Sequence, residues 1–226
     1  MLLFCFHKSV YLRGIGNEMA NNSYISFRNR FYPYGCFSIH QVLMWDPKFE
    51  TDNLTRWIKQ GLLVRLRRGW LAFAEYLGQN DFAYYVSGRI YKPSYISLQT
   101  ALSYYGIIPE AVTSITSVST LKTQSFKNSF GDYYYQSIKP SLFFGYEIKT
   151  LPGGQAYYFA TPDKALLDFL YLNPMYNSEE DMLELRLDDS FLSDDFDGDR
   201  LKDYLKRFDS KVMTIRLETL YKAYGL

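Results

Sequence analysis

Histidine and cysteine are nearly absent from this chain, with two of each in 226 residues. His7 and His40 cannot be joined to a Ser/His/Asp or Cys/His set, so nucleophilic catalysis of that kind has no basis in the sequence. Cys5 and Cys36 match no metal-ligand or redox spacing, and nothing about them calls for an oxidising compartment. No run of about 18 apolar residues occurs, so no transmembrane helix is expected. A Walker loop is missing, and Gly14 and Gly16 lack both the flanking strand and the third glycine of a dinucleotide fingerprint. The formal net charge is only +1, which excludes a whole-chain polyelectrolyte.

The opening MLLFCFHK carries a short apolar run with no basic segment before it and no small-residue cleavage site after it, unlike a signal peptide. The protein is therefore expected to be cytoplasmic, with no membrane partner. Residues 1–21 read as a disordered extension or a misassigned start, the natural start being Met1 or Met19.

What is abundant is aromatic surface and segregated charge. Tyrosine alone accounts for 22 residues, and apolar residues for 47%, enough to bury substantial cores. Residues 24–76 carry a net charge of +4, and residues 177–209 one of −7. A positive front and a negative rear suggest two surfaces with different partners.

The positive front has a regular order. A helix is expected over 22–31, with Tyr24, Phe27, Arg28 and Phe31 at helical spacing. Ser38 can cap a second helix through Trp45 that turns Ile39, Val42 and Leu43 inward. Asp52 can cap a third with the stripe Leu54, Trp57 and Ile58, and Gly61 sits where a left-handed terminator belongs. Then LLVRLRRGWLAF (62–73) reads as a hairpin. In its first strand Leu62, Val64 and Leu66 face one way and Leu63, Arg65 and Arg67 the other, with the turn at Arg68-Gly69.

Three helices and a hairpin are the winged variant of the helix-turn-helix, which places its third helix in a DNA major groove and its hairpin tip on the backbone or in the minor groove. On that reading Asn53, Thr55 and Arg56 read base edges, while Lys59, Arg65, Arg67 and Arg68 hold phosphates.

EYLGQND (75–81) breaks both periodicities and reads as a linker between a first domain, 22–76, and a second, 77–226. The second is expected to be α+β, with helices around a small, mainly antiparallel sheet. Helices are expected at 82–90 and after Ser97, the latter carrying Leu98, Ala101, Leu102 and Tyr105 and ending at Gly106, with a turn at Pro93-Ser94. VTSITSVST, YYYQSIK, YEIKTL and AYYFA are β-like, the last two joined by a turn at Leu151-Pro152-Gly153-Gly154. Thr161 caps a helix that starts at Pro162, with Asp163 near its positive end. Residues 178–225 read as two or three helices with acidic outer faces, the last carrying Ile215, Leu217, Leu220 and Tyr221.

Three segments carry a resemblance. GLLVRLRRGWLAF (61–73), YISLQTALSYYGIIPE (95–110) and TPDKALLDFLYL (161–172) are similar to matching segments of the AbiEi-type antitoxins of two-gene abortive-infection, or type IV toxin–antitoxin, systems. The similarity runs in order through residues 24–172, and nothing after 175 matches. It implies a first domain that binds inverted repeats in its own promoter on double-stranded DNA and represses the operon. It also implies a second domain that counteracts a nucleotidyltransferase-like toxin, with or without direct contact.

Other chemistries have less support in the sequence. Glu147-x-Lys149 and Pro162-Asp163 contain the parts of a metal-dependent nuclease, but in reversed order, and a helix-start role suffices for Asp163. Asp168 reads as a structural acid paired with Lys164 one turn away. The Asp-rich stretch 188–199 lacks the EF-hand spacing and reads as a solvated loop. DYYYQ (132–136) has no interleaved cations, so strand packing or a protein interface is preferred to RNA stacking. His40 reads as a partly buried structural histidine. No catalytic residue, metal site or cofactor is expected; a ligand-sensing winged-helix transcription factor and, behind it, a nuclease are the rival readings.

Overall fold

Aromatic rings organise the front of the chain. In the computed structural model, which describes residues 23–188 and 198–225, helix α1 (23–31) buries Phe27 and Phe31. Phe27 lies 4.8 Å from Trp57 and 5.2 Å from Phe37, centroid to centroid. Those rings belong to the elements that follow: β1 (Cys36–Ser38), α2 (Ile39–Trp45), α3 (Asp52–Lys59), β2 (Leu63–Arg67) and β3 (Trp70–Phe73). The three strands form one antiparallel sheet in the order β1-β3-β2. The extension expected at 1–21 lies outside the described residues, as do Cys5, His7 and most of the Asp-rich loop.

Local signals act here as expected. Ser38 and Gln41 form a reciprocal capping box at the start of α2. Leu43, expected inward, is 36% exposed, and Val42 alone is buried on α2. A seven-residue helix over a three-stranded sheet has room to bury only one row. His40 is exposed rather than partly buried, on the solvent side of the same helix.

The second sheet has six strands in the order β6-β7-β5-β4-β9-β8. They are β4 (Ser94–Ile96), β5 (Ile115–Ser119), β6 (Gln124–Asn128), β7 (Gly131–Ser137), β8 (Tyr146–Thr150) and β9 (Ala156–Ala160). The sheet is larger than expected; it is mainly antiparallel as expected, with β4–β5, β6–β7 and β8–β9 antiparallel, while β4–β9 and β5–β7 pair in parallel. Two of its strands carry no readable signal. β4 is three residues long beside Pro93, and β6 is a polar edge strand.

Helices cover both faces. From α4 (Phe82–Ile90), Ser87 bonds Ser117 and Tyr135 on one face. From α5 (Leu98–Tyr104), Thr100 bonds Thr116 on the other. Helix α6 (Pro162–Leu172), capped by Thr161, packs on α5; α7 (Glu179–Glu184), α8 (Gly198–Phe208) and α9 (Lys211–Ala223) complete the rear. On α9 Met213, Leu217 and Leu220 are buried, whereas Ile215 is 58% exposed. The helix turns its i, i+4, i+7 row inward, and Ile215 falls off that row.

The stretch 75–81 is not a free linker. Tyr76 is buried, stacks on Phe82 at 4.2 Å and donates to the Tyr32 carbonyl at 2.8 Å. Phe82 packs so close to Gly35 that a Cβ there would sit 2.8 Å from the ring. Tyr85 donates to the Tyr34 carbonyl, and Gln155 to that of Pro33. Both sheets therefore share one continuous core.

Beneath that core lies a buried polar cluster. Asp168, fully buried, accepts from Ser97 at 2.8 Å, from Tyr95 at 2.9 Å and from Lys164, itself fully buried. The expected Ser97 cap on α5 is therefore not made, because its hydroxyl is committed to Asp168. Burial outweighs the attraction within the pair and holds Lys164 below and Asp168 above their ordinary pKa values. Cutting Asp168 to alanine strands a buried ammonium, and should cost about 3–5 kcal/mol in urea unfolding. The double change Lys164→Met with Asp168→Leu should cost clearly less than Asp168→Ala alone. A single-variant cost under about 1 kcal/mol would show that the pair is solvated.

Candidate nucleic-acid interface

The basic residues of the front are sorted by the folding of α3 and the hairpin. Asp52 is the first residue of α3, not its cap; Thr51 holds the cap position without a side-chain bond. Gly61, at φ +73°, ends the helix as a Schellman turn: Leu62 N–H donates to the Trp57 carbonyl and Gly61 N–H to that of Ile58. The expected stripe is inward, with Leu54 and Trp57 buried and Ile58 half-buried. Thr55, Arg56 and Lys59 are left exposed and Asn53 half-buried. Arg56 Nη2 donates to Asn53 Oδ1 at 2.8 Å, which braces two of the base-reading candidates against each other.

The hairpin departs from simple alternation. Arg65 pairs with Leu71 and Arg67 with Trp70, so Leu66 is an extra residue in β2. This bulge reverses the facing of everything after Arg65, and Leu63 and Leu66 are the buried pair instead of Leu62, Val64 and Leu66. A bulge leaves no mark in a run of alternating Leu, Val and Arg, which is why the pattern misled.

As a result the three arginines part company. Arg65 and Arg68 are exposed. Arg68 stands in the turn beside Gly69, whose φ of +77° closes the turn and whose carbonyl accepts from Ile39 N–H at 2.9 Å. Arg67 is half-buried, its guanidinium 5.4 Å from the ring centroid of Phe126 on β6 and its Nε buried without a hydrogen-bond partner. The neighbouring Leu66 carbonyl accepts from the Asn128 amide at 3.3 Å. Strand β6 therefore clamps the hairpin through one cation–π contact and one hydrogen bond.

Other front cations are partly committed as well. Arg28 pairs with Glu75 at 2.5 Å and lies 4.1 Å over Tyr32, and it holds the Glu75 carboxyl below its usual pKa. Arg89, outside the expected set, lies 5.5 Å from the ring of Trp70 behind the hairpin. Arg30 and Lys48 are exposed. The outward cationic set is thus Arg30, Lys48, Arg56, Lys59, Arg65 and Arg68.

No family model matches the chain, and no match to a curated protein was found. The arrangement above has to be judged on its own geometry.

The rival nuclease residues are placed differently. Lys149 is 3.3 Å from Glu147 and sits among Tyr104, Tyr105 and Phe159, 4.6–5.4 Å from their centroids. Asp163 is fully buried and accepts from Arg200 at 2.6 Å. Among the described residues no group of three or more His, Cys, Asp or Glu side chains is placed to hold a metal. Within the same residues no helix is long and apolar enough to cross a membrane. Cys36 is buried, and burial pushes its thiol up to about 12.

The clamp yields a direct expectation. Phe126→Ala removes the ring under Arg67, and Asn128→Ala the donor to Leu66. Either change should raise hydrogen exchange of the β2–β3 amides relative to those of β4, β5 and β9. Unchanged protection across β2–β3 in both variants would mean that β6 does not hold the hairpin.

Proposed function

We propose that residues 22–76 are a winged helix-turn-helix that binds double-stranded DNA, and that the chain is an AbiEi-type antitoxin acting in the cytoplasm. On this reading it represses its own operon by binding inverted repeats in its promoter. The region after residue 77 counteracts a nucleotidyltransferase-like toxin. The observation that carries the DNA reading is the outward set on α3 and the hairpin: Thr55, Arg56 and Lys59 on one helix face, followed at once by Arg65 and Arg68 on a bulged, capped ribbon. The element order also supports it, being helix, strand, helix, helix, strand, strand, with the first strand paired beside the last.

Physically, the exposed guanidinium and ammonium groups supply the affinity by displacing counterions from phosphates, and the α3 face supplies discrimination. The Arg56–Asn53 bond orients the guanidinium before DNA arrives, so less side-chain freedom is lost on binding.

The test is gel retention of the protein's own upstream region against scrambled DNA of equal length. Wild type should prefer the upstream fragment. Arg56→Ala should weaken that complex by about 1–3 kcal/mol while leaving scrambled DNA less affected. Equal binding of both fragments by wild type would remove the sequence-specific reading. Co-expression with the adjacent gene product tests the antitoxin half: the full chain should relieve its toxicity and Arg56→Ala should keep that relief, whereas no relief by the full chain would remove this half of the reading.

A further inference from the structure

The rear sheet has one face only partly covered. Helix α5 lies over β5, and beyond it the β5–β7–β6 surface opens into a cleft of about 680 Å³. The pairing registers place Thr116, Tyr134 and Ser125 in one row across the three strands. Gln136 follows two residues along β7 on the same face, and Gln99 of α5 with Val112 forms the opposing wall. Among the described residues, no charged side chain lines this cleft.

Two features separate it from an ordinary surface dip. Tyr133 and Tyr135 are buried on the reverse face, whereas Tyr134 is 48% exposed in the middle of the row and offers an open ring. Gln99 is half-buried and contributes its side chain to the opposing wall, with Oε1 shut off from solvent. A flat ring and two carboxamides, without charge among the lining residues, suit a flat, uncharged molecule with hydrogen-bonding groups on its edge. They do not suit a phosphate chain, which needs cations.

We propose that this cleft binds a neutral nucleoside or nucleobase, stacked on Tyr134 and hydrogen-bonded along its edge by the carboxamides of Gln136 and Gln99. Base–aromatic stacking tolerates any base, and carboxamides pair with base edges. The proposal does not depend on the DNA reading, whose residues lie on α3 and the hairpin.

Isothermal titration of the full chain with adenosine, guanosine and cytidine tests it, with glucose and a short single-stranded oligonucleotide as comparison ligands. At least one nucleoside should bind saturably below about 1 mM. Tyr134→Ala should weaken that binding about ten-fold or more, the size of one stacking contact. Gln99→Leu, which keeps the side-chain bulk, should weaken it several-fold, with both variants checked for wild-type circular dichroism. Saturable binding of glucose or the oligonucleotide alone, no saturation by any nucleoside, or nucleoside affinity unchanged in Tyr134→Ala would each overturn the assignment.

Discussion

Phe82 can rest against Gly35 only because that residue has no side chain, and the rest of the arrangement depends on this approach. Gly35 adopts φ +67°, a conformation that penalises any Cβ, and a Cβ there would meet the ring at 2.8 Å. The contact brings Tyr76 and Phe82 into one stack and lets Tyr85 and Gln155 reach the backbone at Tyr34 and Pro33. Once the two sheets are joined there, β6 lies against β2, and Phe126 and Asn128 can take hold of the hairpin. The orientation of the basic surface is thus set by packing inside the rear unit.

That chain of contacts explains the division of labour among the arginines. A cation held over a ring with its Nε buried gives up hydration, and part of the loss is returned by the ring's quadrupole. Arg67 does this, and the bulge at Leu66 turns it inward while Arg65 stays outward. The Arg68-Gly69 turn is fixed separately through the Ile39 N–H bond to the Gly69 carbonyl. The proposed DNA surface is therefore pre-positioned, and little ordering remains to be done on binding.

Much of this was legible in local chemistry. The Ser38 capping box, the Gly61 terminator, the Thr161 cap with Pro162 at the first helical position, the helix at 82–90 and the turn at 151–154 all rest on interactions within a few residues. What stayed hidden rests on distant partners. Ser97 is a reasonable cap until Asp168 arrives from 71 residues away. β4 and β6 are strands because their neighbours pair with them, not because they alternate. EYLGQND reads as a linker because Tyr76 finds its partners at Tyr32 and Phe82 only after folding. Within the site, the exposed face of α3 follows from helical periodicity, whereas the inward turn of Arg67 needs the bulge and the β6 surface together.

The most direct test of the central claim is the salt dependence of operator binding, measured by fluorescence anisotropy for wild type, Arg65→Ala/Arg68→Ala and Arg67→Ala. Each phosphate contact contributes about 0.9 to the slope of log K against log salt. The double variant should therefore flatten the slope by about 1.8, and Arg67→Ala should leave it near the wild-type value. A slope unchanged in the double variant, or flattened by loss of Arg67 alone, would contradict the account.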